Sequence, residues 1–217
     1  TDEKWHVYFL FEHDPETGYR SIVGYTTVYI FYAHPHRERL RISQVFILPP
    51  YQRHGHGAGM LEAIYDHCRN RGDQVVEISV EDPNDHFQAL RDMIDMKHFM
   101  NFIQSTQFNP TFDEKAPLYQ LQWSHEFWNK VRFALKISRD QIRRCYEVYN
   151  MYVAQSLNQN TEAYEKAMKA SRLDIKRRIY NIYDLGKVIE DTTERKLKLQ
   201  QVYTALEESY MNFLKVF

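Results

Sequence analysis

The stretch SQVFILPPYQRHGHGAGMLE, Ser43 to Glu62, decides how the chain folds. Val45 to Leu48 is an apolar run with β-branched residues and predicts a strand. Pro49 and Pro50 end it, because proline has no N–H to give to a sheet ladder. Gly55, Gly57 and Gly59 then stand on alternate positions, and Met60, Leu61, Ile64, Tyr65 and Cys68 recur at helical spacing. The reading is a strand, a glycine turn and a helix over Gly57 to Arg69, closed near Gly72.

A glycine turn before a helix suits an anion. Residues without Cβ let a ligand approach the backbone, and the first N–H groups of a helix stand unpaired at the positive end of its dipole. An ordinary glycine-rich turn is the plain alternative. No Gly-Lys-Ser/Thr follows, and the spacing is not G-x-G-x-x-G with a ribose-binding acid beyond it, so the common nucleotide-binding loops are not matched. The pattern that is matched is Q/R-x-x-G-x-G/A, over Gln52-Arg53-His54-Gly55-His56-Gly57-Ala58.

Upstream of this stretch, Trp5 to Phe11 and Ser21 to Tyr32 read as two strands joined by the turn residues of His13 to Tyr19. A polar turn over Ala33 to Arg39 leads into the strand Arg41 to Leu48. Downstream, Gln74 to Val80 is a further strand, with Val76, Ile78 and Val80 on one face, and it ends at Glu81, Asp82 and Pro83. Paired acids at a strand end can simply form a turn. They also stand at the carboxyl end of a strand, where sites in α/β proteins gather. A carboxylate beside an apolar strand and a second carboxylate is suited to accept a proton near neutral pH. Glu81 is read as the general base and Asp82 as its assistant. Ala89 to Met96 is read as a helix with Leu90, Met93 and Ile94 inward, and Asn84 or Asp85 as its N-cap.

Composition narrows the classes further. The 28 basic and 29 acidic residues give a formal charge of −1, so no overall basic field points to nucleic acid. Cys68 and Cys145 are the two cysteines, with no C-x-x-C pair, which fits a reducing, intracellular compartment. Cys68, at the end of an amphipathic helix, is read as packing rather than as a nucleophile. The histidine pairs His34 and His36, and His54 and His56, have no third ligand at a usual spacing, so no metal is expected. No stretch is long and apolar enough for a membrane span. The chain opens at Thr1 inside what reads as a folded unit, so an upstream portion is expected. Pro110 and Pro117 bracket a polar aromatic linker, and helical periodicity follows: Ile137 to Ala154, Thr161 to Met168, Arg172 to Tyr180, and a stripe of Leu199, Val202, Leu206, Tyr210, Phe213 and Phe217. The boundary is placed at 112/113.

Gln52 to Ala58 resembles the acetyl-CoA signature of the GNAT superfamily of N-acetyltransferases. With Asp2-Glu3-Lys4-Trp5-His6, Glu81-Asp82-Pro83, Leu90-Arg91-Asp92 and Arg172 to Arg178, the chain is similar to the type B histone acetyltransferase family over most of its length. That resemblance implies the GNAT acyl-CoA N-acyltransferase fold, an α/β (α+β) domain with a mixed central sheet over 1–112, followed by a C-terminal helical domain over 113–217.

It also implies acetyl-CoA as cosubstrate, held by Val45, Phe46 and Ile47 along the strand, by Gln52, Arg53, His54, Gly55, His56, Gly57 and Ala58 at the turn, and by Asn84 and Phe87. Trp5, Tyr29, Ile30 and Phe31 are implied to line the groove for the substrate lysine. The implied partners are the N-terminal tail of histone H4, together with histone H3, and a WD-repeat histone chaperone. The implied place of action is nucleus and cytoplasm. The family also carries a further acidic residue upstream of Thr1. A GNAT enzyme acting on a small amine or another protein, and an inert histone-binding module, are the competing readings.

Overall fold

The computed structural model describes residues 3–106 and 124–215. Their contacts divide them into two compact units, the first comprising residues 3–102 and 125–142, the second 103–106, 124 and 143–215. The sequence boundary at 112/113 does not describe this division, because the chain returns to the first unit after residue 124.

In the first unit, β1 (Trp5–His13), β2 (Arg20–Ala33), β3 (Arg37–Ile47) and β4 (Val75–Val80) form one sheet in the order β1-β2-β3-β4. The first three strands are antiparallel neighbours and β3 pairs with β4 in parallel, so the sheet is mixed, as expected. A parallel pair needs a crossover, and α1 (His56–Asn70) provides it. The hairpin between β1 and β2 is held by Asp14, whose carboxylate accepts from the Glu16 N–H at 2.9 Å, the self-capping that makes aspartate a turn former. β3 begins earlier than its apolar run suggests. Its charged start, Arg37 to Arg39, continues the antiparallel ladder with Ala33 to Phe31.

The two faces of the sheet differ. Thr26, Val28, Leu40, Ile42 and Ile78 are completely or almost completely buried, and Met60, Leu61, Ile64, Tyr65 and Cys68 of α1 are buried with them. Removing each such large side chain from water contributes on the order of 2 kcal/mol. Tyr8 of β1 ties to the same helix through a 2.8 Å hydrogen bond with His67. The opposite face carries Trp5, Val7 and Phe9 of β1 in register with Tyr29, Thr27 and Tyr25 of β2, and these β1 side chains are about half exposed.

α2 (Asp85–Ser105) is longer than the helix read over Ala89 to Met96. Asn84 is its N-cap, accepting from the Phe87 N–H at 2.9 Å. Ile94 is buried, but Met93 is exposed, and the positions between hold buried Arg91, Asp92 and Asp95. Arg91 reaches the Asp95 carboxylate at 3.3 Å and the Ile78 carbonyl at 3.4 Å, while Gln141 donates to Asp92 at 2.7 Å. A polar stripe therefore faces inward, which an apolar-periodicity reading cannot find. α3 (His125–Leu135) was not distinguished in the sequence; its Phe127, Val131 and Leu135 are buried. Beyond it, Ile137 forms a parallel bridge with Ile78.

The second unit is helical among the described residues. α4 (Arg139–Gln155) supplies buried Tyr146, Glu147, Tyr149 and Asn150 to it. α5 (Glu162–Ile182) is one helix where two segments were read, capped by Thr161 on the Tyr164 N–H. The short α6 (Leu185–Val188) leads to α7 (Thr192–Leu214), which buries Tyr210 of the expected stripe and Tyr203 beside it, while Leu199, Val202, Leu206 and Phe213 are half-buried. Pro110 and Pro117 lie outside the described residues, as do Asp2 and Phe217.

Candidate active site

β3 and β4 part company at a defined point. Their parallel register runs from Glu38 opposite Val75 to Ile42 opposite Val80, and the Glu81 N–H closes the last link on the Ile42 carbonyl at 2.9 Å. β3 continues to Ile47 with β2 on its other side. Among the described residues, the edge of β3 from Ser43 onward therefore has no strand beside it on the β4 side.

The gap is a cleft of about 390 Å³, lined on one wall by Ser43, Gln44, Val45 and Phe46 and on the other by Glu81, Asp82, Asn84 and Phe87. That volume falls in the usual range for small-ligand sites. Two of its walls owe their shape to irregular backbone. In the register between β2 and β3, Thr27 faces Gln44 and Val28 faces Ile42, so Ser43 is the unpaired residue of a bulge. The Ser43 hydroxyl donates to the Glu81 carboxylate at 2.9 Å across the cleft. Asp82 has a φ of 38°, in the left-handed region that aspartate tolerates better than most residues. Both acids are exposed, and apolar Ile42, Val45, Phe46, Val80 and Phe87 line the cleft with them.

The glycine turn lies between β3 and α1. Gly55 has φ 86°, takes the N-cap position of α1 and offers no side-chain cap. The earliest hydrogen bond closing the helix is that of the Gly59 N–H on the Gly55 carbonyl at 3.0 Å. The N–H groups of His56, Gly57 and Ala58 precede that bond, at the positive end of a 15-residue helix. A Cβ on Gly57 would stand 3.3 Å from a methyl of Leu90 in α2, so glycine permits the close packing there.

The predicted residues divide accordingly. Glu81, Asp82, Val45, Phe46, Asn84 and Phe87 line one cleft, while Ile47 and the turn residues Gln52 to Ala58 are not among its lining residues. Gln52 ties the turn to the strand, its amide donating to the Ile47 carbonyl at 2.8 Å, so this carbonyl is not a free group of the β3 edge. Asn84 spends its side-chain oxygen on the helix cap. Trp5, Tyr29 and Phe31 stack edge to face, with centroids 4.9 and 4.7 Å apart, and the Arg41 guanidinium sits 4.6 Å from the Phe31 ring. Ile30 lies between Tyr29 and Phe31 on the strand and so presents the other face. None of these four lines the cleft.

Ser43, Gln44 and Tyr25 were not foreseen as site residues. The bulge that places Ser43 leaves no mark in the apolar pattern. Among the described residues no group of three His, Cys, Asp or Glu side chains could hold a metal ion. Cys68 is fully buried, and burial pushes its thiol up to about 12, far from the thiolate a nucleophile needs.

Residues 1–90 match the acetyltransferase (GNAT) family. The chain is 34% identical to the histone acetyltransferase type B catalytic subunit of Candida albicans over 98% of its own length and 51% of that protein. A protein of the same description in Dictyostelium discoideum is 32% identical over 92% of this chain and 41% of its own length. The Homo sapiens subunit is 29% identical over 99% and 51%. The chain thus spans about half the length of the curated relatives it matches. Residues 1–90 thus match an acetyltransferase (GNAT) domain, and nearly the whole chain is similar to histone acetyltransferase type B catalytic subunits about twice its length.

Proposed function

We propose that this chain catalyses transfer of an acetyl group from acetyl-CoA to the ε-amine of a lysine in the N-terminal tail of histone H4. The observation that carries the reading is the cleft itself, where the unpaired edge of β3 faces Glu81 and Asp82 at the point of strand divergence. Use of acetyl-CoA follows from the GNAT domain. The fit is supported by two features: uncapped N–H groups at the start of α1 for a diphosphate, and main-chain groups of Val45 and Phe46 along the open edge for an extended amide-bearing arm.

Acetyl-CoA supplies an electrophilic acyl carbon and a thiol leaving group. The chain's own residues do the rest. A lysine amine, protonated at neutral pH, must lose a proton before its lone pair can attack. The Glu81 carboxylate accepts that proton, and Ser43 holds it in place through the 2.9 Å hydrogen bond. Asp82 beside it receives or relays a proton through water. As the new C–N bond forms, the C–S bond breaks, and the second proton of the attacking nitrogen goes to the leaving sulfur, which departs as the thiol. A main-chain N–H near Val45 or Phe46 offsets charge on the acyl oxygen. No cysteine takes part, so attack is direct in a ternary complex.

Histone H4, with histone H3, and a WD-repeat histone chaperone are the proposed partners, and nucleus and cytoplasm the proposed places of action. The relatives' description as histone acetyltransferase type B catalytic subunits supports the substrate class. Turnover with an H4 tail peptide, set against spermidine and an unrelated lysine peptide, tests the reading. Preference for the H4 peptide is expected. Equal or faster acetylation of the polyamine would assign the site to small amines.

A further inference from the structure

At the opposite end of the first unit's sheet from the cleft, the starts of β3 and β4 and the end of α3 enclose a second pocket, of about 170 Å³. Arg37, Asp73, Asn129, Arg132, Phe133 and Lys136 line it. We infer that this pocket binds a phosphoryl group, with Lys136, Arg37 and Arg132 as its cationic contacts.

Lys136 carries the argument. It follows the last residue of α3 with φ 57°, a left-handed conformation that costs an L-residue about 1–2 kcal/mol and that glycine would adopt freely. A lysine at a helix end ordinarily extends into solvent, where it complements the dipole. This one is only 3% exposed. Its ammonium rests 4.2 Å from the centre of the Phe133 ring and makes no hydrogen bond or ion pair among the described residues. Burial lowers its pKa, with Asp73 opposing and Arg37 adding to the shift.

Its neighbours leave the charge unbalanced. Arg132 gives Nη2 to Glu77 at 2.7 Å, but its buried Nε has no hydrogen-bond partner among the described residues. Glu77 is itself shared with Arg39 at 3.4 Å. Arg37 is exposed at the rim, and Asp73 is the acid among the lining residues. The guanidinium forks and the ammonium are the donor types that phosphate oxygens take. Drug-sized ligands need upwards of roughly 300 Å³. A pocket of this size suits one phosphoryl group rather than a nucleotide.

The test is a titration of the isotope-labelled chain with inorganic phosphate at fixed ionic strength, against sodium chloride, followed through its backbone amides. Saturable shifts at Val75, Val76 and Lys136 are expected. Arg37→Gln, an exposed change that leaves the fold alone, weakens binding five-fold or more, and Lys136→Met removes it. A phosphoserine peptide and its unphosphorylated form make the second arm. Tighter binding of the phosphopeptide than of phosphate identifies a protein ligand, and equal binding a free one, either supporting the site. Shifts confined to Gly55, His56 and Gly57, unchanged affinity in Arg37→Gln, or no effect beyond that of chloride overturns the inference. The titration needs no turnover, so it stands apart from the acetyltransferase reading.

Discussion

Ser43 donates a hydrogen bond to Glu81 at 2.9 Å, and it does so from the one position of β3 that the register with β2 skips. The bulge turns a residue that would belong to one face of the strand toward the diverging β4. It therefore couples a local irregularity of the backbone to the orientation of the proposed base. Ser43→Ala should lower kcat about five-fold, the effect of losing a hydrogen bond of about 1 kcal/mol, with the KM for acetyl-CoA unchanged. Ser43→Thr, which keeps the hydroxyl, should restore most of the rate. A parallel rise in KM would instead point to general disruption of the cleft.

Gly55 holds the entrance to α1 in a left-handed conformation with open space around it. Alanine there would meet no atom but would carry the conformational cost, about 1 kcal/mol, or a fall in Tm of about 2–4 °C for a chain of this size. Because the strain falls on the N–H groups proposed to hold the diphosphate, calorimetry of Gly55→Ala should also show weaker coenzyme A binding. An unchanged melting curve would contradict the assigned backbone conformation.

The buried Asp95 provides a pH-dependent test of the fold. Burial raises its pKa from 3.8 to about 6, with Arg91 opposing at 3.3 Å. The folded state thus binds this proton more tightly than the unfolded chain does. The stabilisation is complete below about pH 4 and is lost as pH rises through about 6. Asp95→Asn cannot titrate, so it should lack this component. Denaturant unfolding at pH 4 and pH 7 should show the wild type losing about 2–3 kcal/mol relative to the variant over that interval. A constant difference would mean that Asp95 is ionised throughout.

In the second unit, Glu147 is the corresponding hub. Its carboxylate accepts from Arg178 at 2.7 and 2.8 Å and from the Tyr210 hydroxyl at 3.0 Å, and is itself 1% exposed. Glu147→Leu would leave a mostly buried guanidinium uncompensated and should cost about 3–5 kcal/mol. Tyr210→Phe, which removes one hydrogen bond and keeps the ring, should cost about 1 kcal/mol. Similar losses in the two variants would show that the ion pair contributes little beyond packing.

Much of the first unit was legible because its signals are local. Prolines 49 and 50 end β3, the glycines mark the turn, and the apolar spacing from Met60 to Cys68 is the buried face of α1. The acids at the end of β4 were found for the same reason. What escaped depends on pairing between distant residues. The bulge at Ser43 exists only in register with Thr27 and Val28, and in the inward polar stripe of α2 Arg91 and Asp92 are met by Ile78 and Gln141 from other elements. Trp5, Tyr29 and Phe31 were singled out by resemblance alone, and their pairing with one another and with Arg41, absent from the lining of the cleft, is set by the β1–β2 register that no local pattern shows.

The central claim is that Glu81 accepts the proton of the attacking amine. The direct measurement is steady-state acetylation of a histone H4 tail peptide by the wild type and by Glu81→Gln, with coenzyme A affinity of each determined by calorimetry. The account predicts unchanged coenzyme A affinity and a fall in kcat of about two orders of magnitude. A kcat equal to that of the wild type would contradict it.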